Sequence, residues 1–190
     1  MKSLSSYIIT IILLFSLPIK SQAQTVKPTD NVAILLKKRT DSISNYILKH
    51  NNQLIVFAKI HSKKDPVRVV NDKWPDDVDY SYNILKDSTG RVIFIAEMPY
   101  SESGDWYIEY RHYFDNSGNT IAFERITNVF DSDVKGGVIY ETLINYYLPG
   151  LKLKDKIYTL KRKDGKNIKN SGMLTSIITP IMYTRMQQNV

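Results

Sequence analysis

Tyr110-Arg111-His112-Tyr113-Phe114-Asp115-Asn116-Ser117-Gly118-Asn119-Thr120-Ile121 decides the fold. A run of aromatic residues leads into Asp-Asn-Ser-Gly, and a β-branched run leads out. An aspartate in that place opens a type I turn by accepting hydrogen bonds from the backbone amides ahead of it. The glycine takes the left-handed position that closes a three-residue loop. The unit recurs. Tyr82, Asp87, Gly90 and Ile93 have the same spacing as Tyr110, Asp115, Gly118 and Ile121, and a looser copy runs through Tyr158, Asp164, Gly165 and Ile168. Two close copies and one loose one are too few for a solenoid. They predict an up-and-down antiparallel meander.

The turn also predicts a register. With Asp115 opposite Asn119, Tyr113 faces Ile121, Arg111 faces Phe123, and Glu109 faces Arg125 as a cross-strand ion pair. Such a pair, exposed, stabilises by ~0.2–1 kcal/mol. The other face of the same strand carries Trp106, Ile108, Tyr110, His112 and Phe114, so neither face is purely polar.

Outward from this hairpin, six runs read as strands: Val78–Lys86, Arg91–Met98, Asp105–Phe114, Asn119–Val129, Val138–Leu148 and Lys156–Arg162. All eight glycines lie between Gly90 and Gly172, and turn chemistry separates the runs. Upstream, Val32, Leu36, Ile43 and Ile47 recur at spacings of four and seven, with Leu35 and Tyr46 beside them. That predicts an amphipathic helix of about five turns, capped by Asp30 and ending near His50-Asn51-Asn52. Leu54–His61 reads as a strand, with extension of the helix as the other reading. Ser62–Asp77 reads as a polar connection containing a short Val67–Val70 strand.

The expected fold class is α+β: an N-terminal amphipathic helix packed on an antiparallel β-meander of about six strands. In outline this resembles cystatin-like helix-wrapped meanders. The likeness is one of architecture, rests on no family motif, and implies no activity.

Residues 1–23 follow the grammar of a secretory signal peptide. Lys2 is followed by an apolar run, Tyr7–Leu17, then Pro18 and the small residues Ser21 and Ala23. The run is shorter than the ~20 apolar residues that span a bilayer. Cleavage after Ala23 leaves 167 residues and removes Lys2 and Lys20, for a net charge of +5. Residues 24–29 form a disordered lead, 30–186 one domain, and 187–190 a frayed tail, with Met173–Met186 a short helix or last strand. The expected location is periplasmic or secreted, with no membrane span in the mature chain. The chain has no cysteine, which excludes disulfides, zinc–thiolate sites, cysteine nucleophiles and a lipidated cysteine.

Candidate binding residues cluster around the Ser101–Asp105 loop. Tyr100, Glu102, Asp105, Trp106, Tyr107 and Tyr113 combine large aromatic area with polar groups, a composition common at interfaces. A second candidate is basic. Lys152, Lys154, Lys156, Lys161, Arg162 and Lys163, with Lys166 and Lys169, face only Asp155 and Asp164, for a net +6. Alternation puts the first three on one face, as a patch for polyanions. The other reading, lysine protection of an edge strand against aggregation, is the more frequent use of such a tract. By contrast Asp72–Asp133 carries a net −8. Asp76, Asp77 and Asp79 read as a solvated acidic turn, since they lack the glycine and distal glutamate of a calcium loop.

No metal or cofactor is implied. The three histidines, His50, His61 and His112, fall in no catalytic motif, and export separates the chain from nucleic acid. The leading expectation is therefore a non-enzymatic envelope or extracellular module that binds a protein, peptide or glycan. The alternatives are an inhibitor or immunity-type protein that acts through the Tyr100–Asp105 loop, and a small hydrolase or lyase. A deep pocket holding His112 or His61 beside a carboxylate would mark the last.

Overall fold

Eight antiparallel strands in one open sheet carry a single helix, in a computed structural model that describes residues 28–131 and 135–168. Helix α1 spans Pro28–Lys49, and a short 3₁₀ turn, Asn51–Gln53, leads into the sheet. The strands are β1 (Ile55–Ile60), β2 (Val67–Arg68), β3 (Val78–Lys86), β4 (Val92–Pro99), β5 (Trp106–Phe114), β6 (Thr120–Phe130), β7 (Val138–Leu148) and β8 (Lys152–Arg162). Their order is β2-β1-β3-β4-β5-β6-β7-β8, every pair antiparallel. The ends, β2 and β8, do not pair, so the sheet is not a closed barrel.

The α+β class and the meander match the expectation, but the strand number does not: there are eight, not about six. The two additions are β1 and the two-residue β2, which enter the sheet from the segment read as ambiguous strand and polar connection. Asp30 lies inside α1, which begins two residues earlier, so it does not precede the helix as a cap. The signal-peptide, lead and tail assignments lie outside the described residues. Among the described residues no helix is long and apolar enough to cross a membrane.

From Val32 onward α1 turns Leu36, Thr40, Ile43 and Ile47 toward the sheet. Thr40 occupies an inward position at the cost of a hydroxyl, which donates to Leu36 O at 3.0 Å. Val32 and Leu35, expected on the apolar stripe, are exposed. Beneath the helix lie Leu85, Ile93, Phe94, Ala96, Tyr113, Ile121, Ala122 and Tyr146. Three-residue loops close the hairpins as expected. Asp87 and Asp115 each receive two backbone amides through Oδ1, and Gly90 and Gly118 have φ of 84° and 81°. A third loop of the same shape, Lys163–Gly165, sits between Arg162 and Lys166.

The register past the turn differs from the expectation by one residue. Phe114 pairs with Thr120, but Tyr113 pairs with Ala122, so Ile121 is a bulge. The same slip falls between Lys86–Val92 and Leu85–Phe94, where Ile93 is the extra residue. The isoleucine of the repeated motif is thus the bulge residue in both hairpins. A bulge lets two successive residues serve one face, and the pairs Ile93–Phe94 and Ile121–Ala122 are both buried in the core. Arg111 consequently faces Glu124, Glu109 faces Ile126, and Arg125 faces Leu143 in β7 and Tyr110 in β5. The expected Glu109–Arg125 pair does not form, because a one-residue slip moves Arg125 to the opposite face.

A Cβ added at Gly118 would meet nothing within 4 Å, so only the left-handed backbone there resists substitution. Gly118→Val is expected to lower stability by about 1–2 kcal/mol in urea titration, and Gly118→Asn by much less. Equal losses for the two would place the cost in side-chain crowding rather than in the turn.

Candidate functional site

Up-and-down topology sorts the connections onto two rims of the sheet. The tight turns 87–91, 115–119 and 149–151 share one rim with the chain leaving α1. Loops 61–77 and 100–105, residues 131 and 135–137, and the turn 163–165 share the other. The loop rim is knitted by backbone bonds: Tyr100 N to Asp79 O (2.9 Å), Phe130 N to Asp105 O (2.8 Å) and Asp131 N to Gly137 O (3.0 Å). Asn71, Asp72 and Asp77 adopt left-handed conformations in loop 61–77, where short polar side chains tolerate them.

Exposed aromatic residues concentrate at this rim. Among the described residues six aromatics are exposed, and five of them, Trp74, Tyr100, Tyr107, Phe130 and Tyr140, lie here. The sixth, Tyr158, is on β8. Three share the helix-side face. Register sets Tyr107 and Tyr140 on either side of Asn128, and Phe130 lies two residues further along the same strand. Gly137 makes room for the last, since a Cβ there would come within 3.2 Å of Phe130 Cε2.

Tyr107 is held by a chain of buried polar groups that runs back to the helix. Its hydroxyl donates to Glu109 Oε2 at 2.9 Å, and Arg111 Nη2 donates to the same oxygen at 2.8 Å. Arg111 Nη1 reaches Glu124 Oε2 at 3.3 Å, Tyr113 donates to that oxygen at 2.9 Å, and Ser44 donates to the Tyr113 hydroxyl at 3.4 Å. Burial, followed by the bond to Glu109, pushes the Tyr107 phenol up to about 12. It is a neutral donor across the physiological range.

The sequence candidates divide accordingly. Tyr100, Glu102 and Asp105 are exposed on the rim; Trp106 and Tyr107 are neighbours on opposite faces. Tyr113 is corrected: at 2% exposed beneath α1 it is a core residue and offers no ring face to a ligand. The basic tract also divides. Lys154 is the bulge residue between the pairs Tyr146–Asp155 and Tyr147–Leu153, so Lys152, Lys154 and Lys156 do not share one face by simple alternation. Lys161 pairs with Tyr140 on the helix side, Arg162 turns to the other side and bonds Asp164 at 2.9 Å, and Lys163 packs beside Gly136. β8 ends the sheet among the described residues, which is the position lysine protection of an edge requires.

The face away from the helix holds groups that spacing alone did not single out. Arg125 and Glu141 form a bidentate pair, Nε to Oε2 at 3.0 Å and Nη2 to Oε1 at 2.8 Å, with Glu141 only 1% exposed. Glu97, 1% exposed, lies between Tyr82 and Tyr110. Its carboxyl is pushed up to about 7 by burial. His112 packs against Phe123, with ring centroids 5.0 Å apart, and burial moves its imidazole down to about 4. His61 Nδ1 stands 3.6 Å from Asp79 Oδ2 at the exposed rim rather than in a pocket. Among the described residues no group of three or more His, Asp or Glu is placed to hold a metal.

No family model, curated protein or solved structure matches the chain.

Glu97 and His112 act on stability in opposite directions. The raised carboxyl keeps its proton in the fold while the unfolded chain loses one, so its contribution falls from about pH 4.5 to about pH 7. The lowered imidazole adds stability as pH rises from about 4 to 6.5. Glu97→Gln removes only the first. The variant is expected to gain up to about 3 kcal/mol on the wild type between pH 4.5 and 8 in denaturant titrations. Parallel stability curves would show that the carboxyl ionises freely in the fold.

Proposed function

We propose that this chain is an exported, non-enzymatic binding module that recognises a protein, peptide or glycan through its loop rim. The observation that carries the reading is the asymmetry between the rims: among the described residues five of the six exposed aromatics gather at one, and the other is closed by short turns rich in Asn, Ser, Gly and Thr. Exposed aromatic patches are costly in water, and they mark contact surfaces. Tyrosine supplies large contact area with few rotors and a polar tip. Tyr107 is already oriented by Glu109 and Arg111, so it loses little freedom on binding.

The inhibitor alternative calls for a mobile, projecting loop, and the exposure of Tyr100, 63%, is the feature that favours it; the loop behind it is pinned from within, where Ser101 Oγ accepts from Gly104 N at 3.1 Å and Ser103 Oγ from Asp105 N at 3.3 Å. Export rests on residues 1–23. In a bacterial host the exported protein is expected to begin at Gln24 by N-terminal sequencing; a cytoplasmic product retaining Met1 would overturn export.

The rim is tested by screening the mature chain on glycan and peptide arrays, with Phe130→Ala and Tyr140→Ala as rim variants and Asn116→Ala as a control at the other rim. Each rim variant is expected to weaken a wild-type ligand at least 10-fold, the scale of an aromatic contact at the centre of an interface. Binding that survives both variants unchanged would overturn the assignment. A ligand lost only with Tyr100→Ala, and found to be an enzyme, would favour the inhibitor reading.

A further inference from the structure

The face of the sheet away from the helix carries an acid with no counter-ion among the described residues. Glu97 is 1% exposed, and its Oε1 has no hydrogen-bond partner. A buried polar atom left unpaired costs free energy and calls for an occupant or a role. Cross-strand register places a tyrosine directly on each side of it, Tyr82 from β3 and Tyr110 from β5. Such neighbours have Cβ atoms about 5 Å apart. Tyr80, two residues from Tyr82, lies on the same face and interacts electrostatically with both rings. All three tyrosines are half-buried.

The cations nearest in register are committed elsewhere. Arg125, next to Tyr110 across β6, gives its guanidinium to both oxygens of Glu141 in β7. Lys59, opposite Tyr80 in β1, donates to the backbone carbonyls of Ile60 and Lys63. His112, two residues from Tyr110, packs on Phe123 and is neutral near pH 7. Among the described residues the carboxyl therefore has a tyrosine beside it on each neighbouring strand and no cation paired with it. Aromatic faces combined with one carboxylate are the chemistry that recognises an organic ammonium group, through ring quadrupoles and Coulomb attraction together.

We propose that Glu97, Tyr80, Tyr82 and Tyr110 form a binding site for an organic ammonium ion. Entry requires one of the half-exposed tyrosine rings to turn aside, and the bound cation displaces the carboxyl proton to solvent. This site stands apart from the aromatic rim and does not depend on it. Two sources supply the same group, a lysine-type side chain of a peptide and a free small quaternary ammonium.

The test is a titration of the mature chain at pH 7 with tetramethylammonium chloride against sodium chloride at equal ionic strength. The readouts are the ¹³C carboxyl resonance of Glu97 and the melting temperature. Saturable binding, a rise in melting temperature and a fall of at least one unit in the Glu97 titration midpoint are expected. Tyr82→Phe keeps the ring and is expected to retain binding, whereas Tyr82→Ala and Tyr110→Ala lose at least 10-fold. Blocked lysine and trimethyl-lysine peptides, set against choline, assign the source by which binds more tightly. A Glu97 resonance that responds identically to sodium and to every ammonium probe overturns the proposal, and this reading needs only the wild-type chain.

Discussion

The two isoleucine bulges govern the rest of the molecule. In a flat hairpin, alternation alone decides which side chains face the helix. Here Ile93 and Ile121 each add one residue to one strand, immediately past a turn that is otherwise regular. Each bulge places two successive apolar side chains under α1 and shifts everything beyond it by one position. The shift in β6 puts Glu124 opposite Arg111 and turns Arg125 to the far face. Without it, the helix side would hold Arg125 opposite Glu109 and would lose Glu124, and Glu141 on the far face would lose its partner.

That register builds two polar networks on opposite faces of one sheet. On the helix side Arg111 serves two carboxylates, Glu109 and Glu124, with Tyr107 and Tyr113 donating to the same oxygens. On the other side Arg125 serves Glu141 alone. Burying such groups is expensive, and a buried pair is often no more stabilising than a well-packed apolar substitute. Their value lies in orientation. Removing a partner from either network strands a charge, so each network penalises the unbulged register and specifies the bulged one. The Arg111 network also ties a helix residue, Ser44, to a rim residue, Tyr107, through fixed hydrogen bonds.

Much of the fold was legible because its signals are local. Asp-x-x-Gly turns, β-branched runs and a helix stripe each act within a few residues, and all three appear where the spacing put them except at Val32 and Leu35, which the helix leaves exposed. The two additional strands were harder to see: β1 and β2 flank a polar connection whose pairing is non-local, and two residues carry no periodicity. The register was legible up to the bulge and illegible beyond it, since nothing in the motif distinguishes a paired isoleucine from a bulged one. Tyr113 looked like a ligand platform because alternation assigns it a face but does not say which part of that face the helix covers. Of the proposed rim residues, Tyr100 and Tyr107 stand out by their neighbourhood in sequence. Phe130 and Tyr140 join them only through strand pairing, and Glu97 gave no signal, since its burial is a property of its cross-strand tyrosines.

A meander with alternating connections always has two rims, but it need not treat them differently. In this chain the turn rim is built from short, regular loops, with Arg39 of α1 bonded to Asn116 at its edge. Those loops are short, three residues in each hairpin, although Leu151 among them is also left-handed. The loop rim has longer connections and most of the aromatic side chains facing water among the described residues. Each of these is a local departure from what stability alone would select. Departures from stability that gather in one place, on loops braced by hydrogen-bonded strand ends, are the pattern expected where a scaffold meets a partner. In the proposed reading, the helix, the bulges and the buried ion pairs hold the strand ends that carry Tyr107, Phe130 and Tyr140.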